Sequence, residues 1–143
     1  MLYVLLKKED KDISLLQELH NLSAIKKYIS ISENYFEYVT STENVWYYKI
    51  MQENNLIGAV HLEKYDEALY LSIWIRPEFQ RKGYASIVLA DIENNLNHGA
   101  QFIQVSIEDD NSSSLRLFEK AGYVLVGVDE ELRDYKKNLM NYV

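Results

Sequence analysis

The chain has 143 residues, 48% hydrophobic and 13% aromatic, with a single proline. That is enough for one compact domain (residues 1–143) with a real core, and it is not a disordered composition. A net charge of −7, from 22 acidic and 15 basic residues, argues against non-specific nucleic-acid binding and mildly favours a cationic or amine-bearing substrate, while the lack of cysteine excludes a disulfide framework, a thiolate metal site and a cysteine nucleophile.

Leu2 to Lys7 reads as a first strand. The stretch is too short for a signal-peptide core and no apolar run reaches membrane-spanning length, so a cytoplasmic protein without membrane contact is expected. From about Ser14, Leu15, Leu19, Leu22, Ile25 and Ile29 recur at three- and four-residue steps, a helical stripe that breaks near His20-Asn21 into two short helices. Val45 to Met51 is rich in β-branched and aromatic residues; Asn54-Asn55 supplies a turn, and Leu56 to Glu63 completes a hairpin. Tyr65 to Ala68 turns again, and Leu69 to Ile75 gives the third strand of a meander.

The period then changes. Ala85, Val88, Leu89, Ile92 and Leu96 lie at helical spacing, with Gly99 as the expected C-terminal cap. Phe102 to Ile107 is the next strand, parallel to its predecessor because a helix connects them. A short helix follows Asn111, with Leu117, Phe118 and Ala121 as its apolar face and Gly122 as its end. Tyr123 to Val128 and Tyr135 to Asn141 read as the last strands. The expected class is α+β: a mixed, mostly antiparallel sheet with a central parallel strand pair and flanking helices.

The richest segment is Ile73-Trp74-Ile75-Arg76-Pro77-Glu78-Phe79-Gln80-Arg81-Lys82-Gly83-Tyr84-Ala85. A strand stops at proline, a Gln-x-x-Gly-x-Ala turn follows, and a helix starts at once. Such a turn aims backbone N–H groups at one spot beside a helix N-terminus, a natural seat for a diphosphate. Gly83 permits close approach, and Arg81 and Lys82 add long-range attraction. Trp74 and Phe79 read first as core, and otherwise as the border of a cofactor groove. There is no Walker loop and no dinucleotide fingerprint. A second constellation, Asn111-x-x-Ser114-x-x-Leu117-Phe118-x-Lys120-x-Gly122-Tyr123, serves either as ordinary helix capping or as a second ligand contact.

The two stretches, in this order and separation, resemble the GNAT superfamily of acyl-CoA-dependent N-acetyltransferases, and the resemblance covers nearly the whole chain. It implies acetyl-CoA as acyl donor and a primary amine as acceptor, small molecule or peptide, attacking the thioester directly. It further implies that the backbone of Ile73, Trp74 and Ile75 hydrogen-bonds the pantetheine arm. Gln80, Arg81, Lys82, Gly83, Tyr84, Ala85 and Ser86 cradle the diphosphate. Asn111 binds the arm and Ser114 sits nearby. The N–H of Ile75 or a neighbour polarises the carbonyl. Members of the superfamily are often homodimers, though no feature of this sequence demands one.

Two positions depart from the pattern. Many members carry a tyrosine acid where this chain has Phe118, and related protein acetyltransferases carry a glutamate base where it has Ser106. Catalytic substitutes are therefore sought among Tyr84, Tyr123, His61 with its neighbour Glu63, and Glu108, each of which also has a plain structural reading. His20 and His98 read as uninvolved, and the three histidines lack metal-ligand spacing. The acceptor is expected against the segment Ile25 to Thr42, where Tyr28, Glu33, Tyr35, Phe36, Glu37 and Tyr38 mix aromatic rings with carboxylates. The alternatives to an enzyme are a catalytically weak acyl-CoA sensor of the same fold and a nucleotide or phosphate binder.

Overall fold

A computed structural model describes residues 1–139. Seven strands form one sheet in the order β1-β2-β3-β4-β5-β7-β6. They are β1 (Leu2–Leu5), β2 (Val45–Gln52), β3 (Asn55–Tyr65), β4 (Ala68–Ile75), β5 (Phe102–Glu108), β6 (Val124–Asp129) and β7 (Leu132–Asn138). Five α-helices accompany them among the described residues: α1 (Ile13–His20), α2 (Ser23–Lys26), α3 (Tyr35–Ser41), α4 (Tyr84–Asn95) and α5 (Ser112–Lys120). This is the expected mixed α+β architecture, mostly antiparallel with a β4–β5 parallel pair. No helix among the described residues is long and apolar enough to cross a membrane. The predicted last strand begins earlier than expected, at Leu132, and its predicted end at Asn141 lies outside the described residues.

Contacts group the residues into two compact units. The first comprises Met1–Glu63 and Ser72–Tyr84. Here β1 and β3 flank β2 in antiparallel register, from Leu5↔Tyr48 and from Val45↔Glu63. The β2–β3 turn is one residue earlier than predicted: Glu53 and Asn54 hold φ of 49° and 67°, the paired left-handed conformation of a two-residue hairpin. The helical stripe does break where expected, between α1 and α2. Of its predicted members Leu19 and Ile25 are buried, Leu15 and Ile29 partly buried and Leu22 exposed. Leu16 takes the buried place expected for Leu15, and Leu16, Leu19 and Ile25 join Phe36, Val39, Val45, Tyr47, Ala59 and Trp74 in one core. Helix α3 was hidden in the sequence because Tyr, Phe, Val and Thr carry strand propensity. Its signal is the i, i+3 pair Phe36 and Val39, both buried. The loop after β1 is tied down by the buried Lys49, whose Nζ lies 2.9 Å from carboxylate oxygens of both Asp10 and Asp12.

The second unit comprises Lys64–Leu71 and the chain from Ala85 onward. The parallel ladder runs Ala68↔Phe102, Leu69↔Ile103 and Tyr70↔Gln104. β7 lies between β5 and β6, antiparallel to both. Helix α4 buries Val88, Leu89 and Ile92 as its spacing predicts. It closes before Gly99: the Asn97 side chain donates to Glu93 O at 2.9 Å, and the left-handed pair His98 and Gly99 then turns the chain. Helix α5 buries Leu115 and Phe118, so Leu115 takes the place expected for Leu117. It ends in a Schellman motif: Gly122 (φ 94°) donates to Glu119 O, Tyr123 donates to Phe118 O, and the Phe118 and Tyr123 rings meet edge-on at 5.0 Å.

Candidate active site

The turn after β4 is fastened to the sheet from several directions. The Arg76 backbone N–H donates to Ile57 O at 2.8 Å, and its guanidinium reaches Leu56 O at 3.1 Å and Glu78 at 3.2 Å. Pro77–Phe79 form a single 3-10 turn, and the Gln80 side-chain amide reaches back to Ile75 O at 2.8 Å. Gln80 thus ties the loop to the strand end. Arg81 and Gly83 then adopt φ of 62° and 82°, a left-handed alternation that makes a concave row of N–H groups. Helix α4 begins at Tyr84. In any α-helix the first four N–H groups have no intrahelical acceptor, and the helix dipole favours an anion there. The Gly83 conformation requires glycine, and a Cβ built there meets nothing within 4 Å. Arg81, Lys82, Gly83 and Ser86 are exposed, whereas Tyr84 and Ala85 are half-buried. These features fit a multiply charged phosphate guest.

On β4, Ile73 is half-buried and Trp74 and Ile75 are buried. Trp74 belongs to the core of the first unit, and Phe79 lies half-buried beneath Arg76 and Lys82, each 6.0 Å from its ring. In the second unit, Asn111 is the N-cap of α5: its Oδ1 accepts from the Ser114 N–H at 3.4 Å. The capping reading of these two residues therefore holds, and any ligand contact by Asn111 is left to its amide N–H groups.

The catalytic candidates fall in different settings. Tyr123 is buried, donates to Glu93 Oε2 at 3.0 Å, and packs on Phe118. Burial and Glu93 push its pKa upward, so its proton is held in a structural bond. Phe118 is 4% exposed and serves that same helix end, and the Ser106 hydroxyl donates to Asp134 at 2.5 Å. Glu108 ends β5 half-buried, and its backbone carbonyl accepts from Asn111.

His61 sits in a denser setting within the first unit. Its Nδ1 lies 2.7 Å from the Tyr35 hydroxyl, and its Nε2 lies 3.5 Å from Glu63 Oε2. Glu63 also accepts from the Tyr38 hydroxyl. Burial pushes the His61 pKa down, opposed by Glu63. His20 has a packed structural setting: it is 2% exposed, its Nε2 is 2.9 Å from the Tyr47 hydroxyl, and its ring packs against Trp74 at 5.1 Å. Burial, with His61 nearby, lowers its pKa to about 4. It lies one turn after Leu16 on the buried face of α1, a face that a stripe drawn through Leu16 instead of Leu15 would have marked.

A model of the acetyltransferase (GNAT) domain matches residues 7–124. The chain belongs to the GNAT acetyltransferase family. No curated protein matches it. Among solved structures, the GNAT domain of S. lividans PAT superposes with a TM-score of 0.82 at 13% identity, covering 96% of this chain and 89% of that one. A GNAT acetyltransferase from Streptococcus pneumoniae gives 0.72 at 15% identity, covering 96% and 98%. Campylobacter jejuni N-acetyltransferase PseH, solved in complex with acetyl coenzyme A, gives 0.74 at 11% identity, covering 97% and 100%. At such identities the likeness establishes the GNAT fold.

Proposed function

We propose that residues 1–143 are one N-acetyltransferase domain that transfers the acetyl group of acetyl-CoA to a primary amine. The observation that carries this reading is the loop Gln80 to Ser86: left-handed residues at 81 and 83, open space beyond Gly83, and a helix start, all inside a GNAT-family chain. In this proposal the N–H groups of Arg81 to Ser86 hold the diphosphate, with Arg81 and Lys82 adding charge and Gln80 bracing the loop. The backbone of Ile73 to Ile75 holds the pantetheine arm. The N–H of Ile75 or a neighbour polarises the thioester carbonyl; that of Arg76 is already given to Ile57 O. Asn111 adds a contact to the arm through its amide N–H groups.

The reaction needs a neutral amine held against the carbonyl carbon. The C–N bond forms, the C–S bond breaks, and the ammonium form of the acceptor loses two protons, one to the thiolate and one to solvent. No covalent enzyme intermediate is required. The chain acts in the cytoplasm in this reading.

The test is thermal unfolding with acetyl-CoA, ATP and free phosphate, followed by thiol release over an amine panel. Acetyl-CoA is expected to raise Tm where ATP does not, with CoA released in the presence of at least one primary amine. Stabilisation by ATP alone would overturn the reading in favour of a nucleotide binder. The second reading is an acyl-CoA sensor, favoured by the packed Phe118 and the engaged Ser106; stabilisation without turnover on any amine selects it.

A further inference from the structure

The cluster around His61 has a direction. Trp74 of β4 packs on His20 at 5.1 Å, His20 on Tyr35 at 5.6 Å, and Tyr35 on His61 at 5.4 Å. This chain of rings leads from the strand assigned to the pantetheine arm to one carboxylate, Glu63.

Tyr35 is half-buried, and its burial together with Glu63 and Tyr38 keeps its hydroxyl protonated. The Glu63 carboxylate facing His61 Nε2 favours the neutral tautomer protonated there, in which the Tyr35 hydroxyl donates to Nδ1. The Nε2 atom is buried, makes no hydrogen bond, and faces Glu63 at 3.5 Å. In that tautomer, with Nδ1 capped by Tyr35, His61 has no lone pair for a substrate proton. It orients Glu63 instead, as does Tyr38. A carboxylate that accepts from Tyr38 and faces His61 Nε2 at 3.5 Å, with the Tyr35 and Tyr38 rings 5.4 and 6.4 Å from the His61 ring, has the makings of a cation seat.

We infer that Glu63 binds the ammonium group of the acceptor, with Tyr35, Tyr38 and His61 as its positioning residues, and that the acceptor is a primary alkylammonium ion. The inference rests on the acetyltransferase reading for the word acceptor and goes beyond it in naming the group that receives the amine. Glu63 selects the cation from solution. The groups facing this seat are His20 from α1, Tyr35 and Tyr38 from α3, Tyr47 from β2, and His61 beside Glu63 on β3.

The test is titration of protein labelled with nitrogen-15 at histidine. Butylammonium chloride is the probe and 1-butanol the neutral control. In the wild type, the His61 ring is expected to show one bare and one protonated nitrogen. Butylammonium should shift both signals saturably, and butanol should leave them in place. Glu63→Gln should weaken the butylammonium response at least ten-fold while keeping the Tm rise with acetyl-CoA. Tyr35→Phe should mix the two His61 tautomers and weaken the probe several-fold. A response equal for both probes, unchanged in Glu63→Gln, or absent altogether overturns the assignment. Should Glu63→Gln fail to fold, unchanged probe affinity in Tyr35→Phe overturns it. Loss of the acetyl-CoA response in the wild type strikes the acetyltransferase reading instead, so the two failures are told apart.

Discussion

Gly58 on β3 and Gly83 before α4 belong to the same compact unit and answer opposite needs. A Cβ at Gly58 would stand 2.1 Å from Trp74 O, so there the backbones of β3 and β4 are pressed together and side chains are shut out. A Cβ at Gly83 would meet nothing within 4 Å; what demands glycine there is φ of 82°. One region is closed by the protein itself, next to the Arg76-to-Ile57 bond that fixes where β4 ends. The other is shaped but left open. A glycine in the sequence therefore says little until its surroundings are known: the first marks packing, the second a place for a guest.

The largest expected effect comes from the closed region. Gly58→Ala forces backbone apart, and a loss of about 4 kcal/mol or complete failure to fold is expected, the range of severe core damage. Urea unfolding measures it. A loss below about 1 kcal/mol would mean that the β3–β4 seam yields, and the contrast between the two glycines would break.

His20 lies on the same closed side and sharpens the point through pH. Buried in the folded chain it has a pKa of about 4, against 6.5 for the free group, so the unfolded chain binds the extra proton first. Stability from keeping His20 neutral is complete above pH 6.5 and is lost as the pH falls from 6.5 toward 4. A displacement of that size corresponds to about 3 kcal/mol at full extent. Unfolding free energies of the wild type and of His20→Gln at pH 7.5 and pH 4.5 test it: the variant should lose much less on acidification. Parallel losses would remove His20 from the account.

Which parts of this were readable in advance follows from the range of each signal. The three strands of the meander, the break between α1 and α2 and the strand–turn–helix at residues 73–86 are local patterns of period two, period 3.6 and glycine-proline punctuation, and they came through to within a residue or two. Helix α3 did not, because its aromatic and β-branched residues favour a strand until Phe36 and Val39 find a core to enter. Gln80 was readable as part of a motif but not as a brace, since its partner is the carbonyl of Ile75 in three dimensions. The cluster of His20, Tyr35, Tyr47 and His61 joins residues 26 or 27 apart through hydrogen bonds, and no periodicity reports such pairs. Phe118 was legible as a missing acid; that its ring completes a Schellman motif with Tyr123 was not.

The open region gives the third prediction. Gly83→Val places a β-branched side chain in a left-handed conformation, costing about 1–2 kcal/mol of stability, and fills the space where the diphosphate is proposed to lie. Acetyl-CoA affinity should fall at least a hundred-fold, equivalent to about 2.7 kcal/mol. Calorimetric titration of the folded variant measures it. If the variant binds acetyl-CoA like the wild type, the openness beyond Gly83 has another purpose and the comparison loses its second half.

The smallest effect separates structure from chemistry in the second unit. Tyr123→Phe removes the hydroxyl that donates to Glu93, but Glu93 keeps Lys137 at 2.9 Å and the ring still packs on Phe118. A loss of about 1 kcal/mol is expected, the usual value of one hydrogen bond whose acceptor retains a partner. The turnover rate at saturating substrates should not change, because a phenol whose proton is committed to the half-buried Glu93 carboxylate has none to offer a thiolate. A drop in kcat of a hundred-fold or more with intact stability would instead make Tyr123 the missing acid. The Schellman packing that explains Phe118 would then have to serve catalysis as well as the helix end.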